Sequence, residues 1–205
     1  MSKDLPYRIG LTGNIATGKT TVGRMLESLG AELIDADKVA HEVMAPGGAA
    51  YFPVIETFGT EMLAEDGTLD RRKLGALVFS DAGALRELEA LVHPAVIEEV
   101  QRRIAASQAP VVVVEAIKLL ESGMAQSYEA IWVTVCSECT QLSRLMQDRD
   151  MSRETALQRI HAQPPQADKV AVADVVIDTE GSIAYTKAQV LKAWQKVQAE
   201  HDLAS

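Results

Sequence analysis

Basic charge, cysteine and long apolar runs are what this sequence has least of. Lysine and arginine number 20 against 29 acidic residues, a net charge of −9. That deficit excludes a general nucleic-acid binder, which needs a basic field, and leaves any anionic ligand to local lysines and arginines. The two cysteines, Cys136 and Cys139, form one Cys-x-x-Cys. A zinc site needs two more ligands nearby, and a redox pair needs a different surrounding fold. Both cysteines are therefore read as reduced bystanders. No apolar run approaches the ~20 residues of a membrane span, so no membrane association is expected. Met1-Ser2-Lys3-Asp4 leads into an apolar strand rather than a secretory signal, and the expected compartment is the cytoplasm. Internal repeats and low-complexity segments are missing too.

What the chain does have is Gly13-Asn14-Ile15-Ala16-Thr17-Gly18-Lys19-Thr20. The octapeptide fits the phosphate-binding pattern of Gly, four residues of any kind, then Gly-Lys-Thr. Tyr7–Thr12 reads as the strand before it, and Thr21–Leu29 has apolar residues at helical spacing after it. In that setting the glycines let backbone N–H groups turn inward around phosphate oxygens. The new helix adds its positive end at the same spot. Lys19 then reaches the β- and γ-phosphates and the Thr20 hydroxyl holds Mg²⁺. The expected ATP contacts are Gly13, Asn14, Ile15, Ala16, Thr17, Gly18, Lys19, Thr20 and Thr21.

Further along, Ala31–Ile34 forms a short strand with Asp35-Ala36-Asp37 at its carboxyl end, where open parallel sheets bind ligands. One of the two carboxylates caps the next helix, Lys38–Met44, and the other accepts a proton from a substrate hydroxyl. No central strand is evident between Val39 and Ala109. Helical patterns recur instead at Tyr51–Phe58, Arg72–Phe79, Ala82–Leu91 and Pro94–Ala106, with Pro94 in the first turn of the last. The segment reads as a helical insertion whose basic group is Arg71-Arg72-Lys73. Val111–Glu115 and Ala130–Val135 return to the sheet as buried strands. Glu115 stands where a carboxylate can hold a water on Mg²⁺. Arg144, Arg149, Arg153 and Arg159 follow in one helical hairpin that Pro164-Pro165 ends. Ala173–Asp178 is the last strand, and Ile183–Ala199 the last helix, with Trp194 as a packing residue. Alternating strands and helices predict an α/β fold with a parallel five-stranded sheet and right-handed crossovers.

The loop alone fits several classes of protein. A GTPase needs an Asn-Lys-x-Asp guanine reader, which is absent here. A motor or transporter ATPase needs an apolar strand ending in Asp, and Val111–Val114 ends in Glu115. A small-molecule kinase remains. Two alternatives stand beside the reading developed next: a kinase of another metabolite such as a nucleoside, and a non-catalytic nucleotide-binding relative.

Well beyond the loop, the chain resembles the dephospho-coenzyme A kinase family from Ile9 to about Ser182. The resemblance rests on Ile34–His41, Asp66–Arg71, Leu91-Val92-His93-Pro94, Leu119-Leu120-Glu121, Gln141–Leu145, Arg159-Ile160 with Gln163, and Ala173–Ile177. It implies an adenylate-kinase-like P-loop fold with a nucleotide-binding core (1–37, 110–138 and 170–205), a helical coenzyme-A domain (38–109) and a lid (139–169). It also implies that ATP phosphorylates the 3′-hydroxyl of the dephospho-coenzyme A ribose, and a monomer is expected. Residue by residue, Asp37 resembles the general base. Arg71 and His93 resemble dephospho-coenzyme A contacts, and Arg144 the lid arginine that meets the ATP phosphates. The chain departs from the family at four places. Its loop has Asn14 and Ala16 where Gly-Gly-Ile-Gly-Ser-Gly is usual, which asks Asn14 to adopt a glycine's backbone angle. Ile117-Lys118-Leu119 replaces Pro-Leu-Leu. Asp148 stands at the second lid arginine, with Arg149 one residue on, and Thr179 stands at the asparagine near the adenine.

Overall fold

The structure, a computed structural model, describes residues 5–200. Its first half comprises β1 (Tyr7–Thr12), α1 (Lys19–Ser28), β2 (Glu32–Asp35), α2 (Ala36–Val43), α3 (Tyr51–Phe58), α4 (Arg71–Ser80) and α5 (Ala82–Ala106). Then come β3 (Val111–Glu115), β4 (Ala130–Val135), α6 (Glu138–Asp148), α7 (Arg153–His161), α8 (Gln166–Val170), β5 (Val175–Asp178) and α9 (Ile183–Glu200). Contacts divide the chain into two compact units, 1–34 with 107–205, and 35–106. The 139–169 segment lies within the first of these rather than forming a unit of its own.

In the first unit the five strands run in the order β2-β3-β1-β4-β5. β1 pairs in parallel with β3 on one side and β4 on the other, and β4 pairs in parallel with β5. Sequence order turns back at β1, so the crevice beyond its carboxyl end is where such a sheet takes a ligand. Val111–Val114 are fully buried, which is why β3 reads as an unbroken valine run. Ile9, Leu11 and Trp132 from the sheet form one core with Val22 and Leu26 of α1 and Val190, Trp194 and Val197 of α9. Burying each large side chain of this kind contributes about 1.5–3 kcal/mol. Trp194 is thus a packing residue. A second, smaller core joins Leu145 of α6 and Ala156 and Ile160 of α7 to Ile15 of the loop after β1. Ser137 and Ser152 cap α6 and α7 by accepting from Thr140 N and Thr155 N.

The second unit is helical. Asp35 caps α2: its Oδ1 accepts from Asp37 N and Lys38 N, each at 3.1 Å. α2 therefore starts at Ala36, two residues before the expected Lys38. The expected break near Pro94 is also absent, because α5 runs unbroken for 25 residues with Pro94 inside it. An interior proline forfeits one helix hydrogen bond and costs ~3 kcal/mol. Val92, Val96, Val100 and Ile104, spaced by four and all buried, hold α5 together across that point. Arg103 pairs with both Glu99 and Glu42, tying α5 to α2. The hydrogen bonds from Arg102 and Arg103 lower the Glu99 carboxyl to about 2.

Candidate active site

The loop from Gly13 to Gly18 joins β1 to α1. A Cβ at Gly13 would lie 2.4 Å from Thr134 Oγ1 and 2.6 Å from Thr134 O, so only glycine fits there. Gly18, at φ +84°, precedes α1 and offers no side-chain cap. No side chain caps the start of α1, and an uncapped helix N-terminus is suited to an anion. Lys19 is buried at 6% exposure and folds back over the loop. Its Nζ donates to Gly13 O at 2.9 Å and Asn14 O at 3.1 Å. The Thr17 hydroxyl donates to Asn14 O at 2.8 Å and accepts from the Thr134 hydroxyl at 2.7 Å.

The glycine-like backbone angle falls on Ala16, at φ +59°, and not on Asn14 as its sequence position implied. A left-handed alanine costs roughly 1–2 kcal/mol. Such conformations persist only where the surroundings over-determine them, and the α6–α7 hairpin supplies those surroundings. Ile15 N donates to Gln163 Oε1 at 2.7 Å, and Gln141 Nε2 donates to Ile15 O at 2.7 Å. Asn14 Nδ2 donates to Pro164 O at 3.0 Å. Arg144 donates to Ala16 O at 3.0 Å, to Thr179 O at 2.6 Å and to Thr179 Oγ1 at 3.1 Å. Thr179 Oγ1 in turn donates to Thr17 O at 2.9 Å. Arg144 therefore braces the loop against the segment after β5. Cys136 lies against the same guanidinium, 3.8 Å away. Burial pushes its thiol up more than Arg144 lowers it, and Cys136 and Cys139 are both free.

At the end of β3, Glu115 is 7% exposed and its Oε1 accepts from the Thr20 hydroxyl at 2.8 Å. Register sets Glu115 opposite Leu11, one residue before the end of β1. A hydroxyl and a carboxylate side by side are hard oxygen donors suited to a hard divalent cation. Glu115 is the acid that stands beside Thr20, whereas Asp35 is engaged in capping α2. No cluster of three or more metal-ligating side chains occurs among the described residues. A divalent cation bound here would be held by Thr20 and Glu115, the small number of protein ligands usual for Mg²⁺. The turn after Glu115 is pinned at Ile117 O, which accepts from Thr12 Oγ1 at 3.2 Å and from Lys169 Nζ at 2.9 Å. Lys169 is almost fully buried and pairs with Glu121 at 2.8 Å. Lys169 thus anchors the Ile117-Lys118-Leu119 turn.

In the second unit, Asp37 is exposed in the first turn of α2. Arg71 opens α4 just after the cap residue Asp70, which accepts from Arg72 N at 3.0 Å and Lys73 N at 3.1 Å. Arg71 lines a cleft of about 340 Å³ together with His41, Met44, Leu74, Val78 and Leu88. His93, on α5, is not among the cleft's lining residues. His41 is, although no site role was expected for it. Gln141 and Gln163 were missed in the same way; their contacts with the loop span 126 and 148 residues of chain.

Comparison with known proteins identifies the family. A family model for dephospho-CoA kinase matches residues 7–185. The dephospho-CoA kinase of Carboxydothermus hydrogenoformans is 45% identical over 191 residues, which span 92% of this chain and 93% of that protein. Among solved structures, Thermus thermophilus TT1252 superposes with a TM-score of 0.83 at 32% identity, over 95% of this chain and 98% of that one. The dephospho-CoA kinase of Campylobacter jejuni gives a TM-score of 0.65 at 27% identity, over 94% and 98%. With a parallel sheet, a phosphate loop and relatives matched over most of their length, this chain belongs to the dephospho-CoA kinase family, whose members are ATP-using phosphotransferases.

Proposed function

We propose that Lys19, Thr20, Asp37, Arg71, His93 and Arg144 divide the work of moving the ATP γ-phosphoryl group to the 3′-hydroxyl of the dephospho-coenzyme A ribose, giving coenzyme A and ADP. The observation that carries this reading is the Thr20–Glu115 pair beside the buried Lys19 at the ends of β1 and β3. Phosphoryl transfer asks a protein mainly for positioning and charge neutralisation. Within Gly13 to Thr21 the phosphates are cradled through backbone amides other than those of Ile15 and Thr17, which Gln163 Oε1 and Asn14 O hold, and Lys19 swings from its own loop carbonyls to the β- and γ-oxygens. Thr20 and Glu115 are the residues that would hold Mg²⁺, whose contribution when bound is to neutralise charge on those oxygens.

Asp37 accepts the proton of the attacking hydroxyl, for which it must come within hydrogen-bonding reach. The engagement of Asp35 in capping supports that assignment. Arg71 binds substrate anion in the 35–106 unit, and the apolar wall beside it suits a ligand with both anionic and apolar parts. His93 is assigned to the same ligand outside that cleft. The 139–169 segment serves as the lid that excludes water. Arg144 approaches the nucleotide from the Thr179 side. Exposed Arg149, the C-cap of α6, supplies the second cation in place of Asp148. No described helix is long and apolar enough to cross a membrane, and the enzyme is assigned to the cytoplasm as a monomer.

Two experiments test this reading. With ATP and Mg²⁺, a panel of hydroxyl acceptors should show efficient consumption of dephospho-coenzyme A alone. Turnover of a nucleoside instead, or ATP binding without transfer to any acceptor, would reject it. Glu115→Gln should raise the Mg²⁺ concentration giving half-maximal rate by ~10-fold or more, the usual scale for groups that orient a metal site. An unchanged Mg²⁺ titration would remove Glu115 from the cation's surroundings.

A further inference from the structure

The α6–α7 hairpin grips one residue of the phosphate loop from three directions. The Ile15 side chain is buried among Leu145, Ala156 and Ile160. Its N–H is taken by Gln163 and its carbonyl by Gln141, both at 2.7 Å. The next residue, Ala16, carries the left-handed backbone, and Arg144 holds its carbonyl. With an alanine at that position, the nest-forming shape is not the one the free backbone prefers. We infer that Gln141 and Gln163 are positioning residues. By clamping the Ile15 peptide on both sides, they keep Ala16 in the conformation that presents the loop amides to ATP.

The inference deepens the assignment of the loop to ATP and rests on it. If the clamp sets the fraction of loops competent to bind, losing one arm raises the apparent dissociation constant by the inverse of that fraction. Saturating ATP restores the competent form, so KM for ATP rises while kcat stays. Glycine at position 16 adopts the left-handed angle without help and should therefore relieve the need for the clamp.

The test is a double-mutant cycle on the full chain, read by calorimetric titration with MgATP and by steady-state kinetics. Gln163→Met, at a half-buried position on the hairpin, should weaken ATP binding about five- to tenfold, the scale of one hydrogen bond. The same substitution on an Ala16→Gly background should weaken it by less than about twofold, the difference being the coupling between the sites. Gln141→Met should show the same pattern, and melting curves of each variant separate loss of fold from loss of positioning. Wild-type affinity in Gln163→Met, or an equal loss in both backgrounds, overturns the inference. So does a fall in kcat at unchanged KM. Failure of the wild-type chain to bind MgATP would instead reject the loop's assignment to ATP.

Discussion

Asp37→Asn is expected to lower turnover by ~10²-fold or more while leaving ATP binding nearly intact, given typical general-base contributions. The asparagine keeps the size and the hydrogen-bonding reach of the aspartate but takes up no proton. Asp35 cannot stand in, because its Oδ1 already receives the amides of Asp37 and Lys38 in the first turn of α2. Asp35→Asn is a useful contrast. An amide oxygen still accepts those N–H groups, so asparagine remains a good cap and the loss should be small. Rapid-quench kinetics with calorimetric ATP titration separates the two variants. Near-wild-type turnover in Asp37→Asn would take that residue out of the chemistry.

A larger loss is expected for Lys19→Met, on the order of 10³-fold in kcat/KM, the upper range for removing one preorganised charge-stabilising donor. Lys19 is the cation inside the nest, and a chain of net charge −9 supplies no general positive field to replace it. Its ammonium lies over Gly13 O and Asn14 O, inside the loop. Lys19→Arg should not restore the rate, since a planar guanidinium fork cannot take the place of a compact ammonium. Because the substitution also withdraws a donor from two loop carbonyls, the melting midpoint should be measured with the kinetics. A variant that melts like the wild type and turns over at a comparable rate would contradict the role.

How far the sequence alone reached depended on whether the governing force was local. β3 and β4 occupy the expected residues because strands buried on both faces must be continuously apolar, and runs such as Val111–Val114 leave little choice. Tyr51–Phe58 was equally legible. Pro94 misled because proline is the stronger local signal, whereas the buried stripe from Val92 to Ile104 is a tertiary one. The phosphate loop was plain from eight residues, but the location of its left-handed angle was not. Asparagine is the better intrinsic left-handed residue, yet the strain sits on Ala16, whose flanking peptide is fixed by glutamines far away in sequence. Hydrogen bonding also shows that Asp35 is the aspartate that caps α2, which spacing alone left open. The cleft beside Arg71 brought in His41 and left out His93 through helix packing that no motif encodes.

The most direct test is a crystal structure of the chain with a non-hydrolysable ATP analogue, Mg²⁺ and dephospho-coenzyme A. It should show an Asp37 oxygen about 2.6–3.2 Å from the ribose 3′-oxygen, with that oxygen facing a γ-phosphate held by Lys19. A bound ribose whose 3′-oxygen faces away from the γ-phosphate, or whose nearest carboxylate belongs to another residue, would contradict the account.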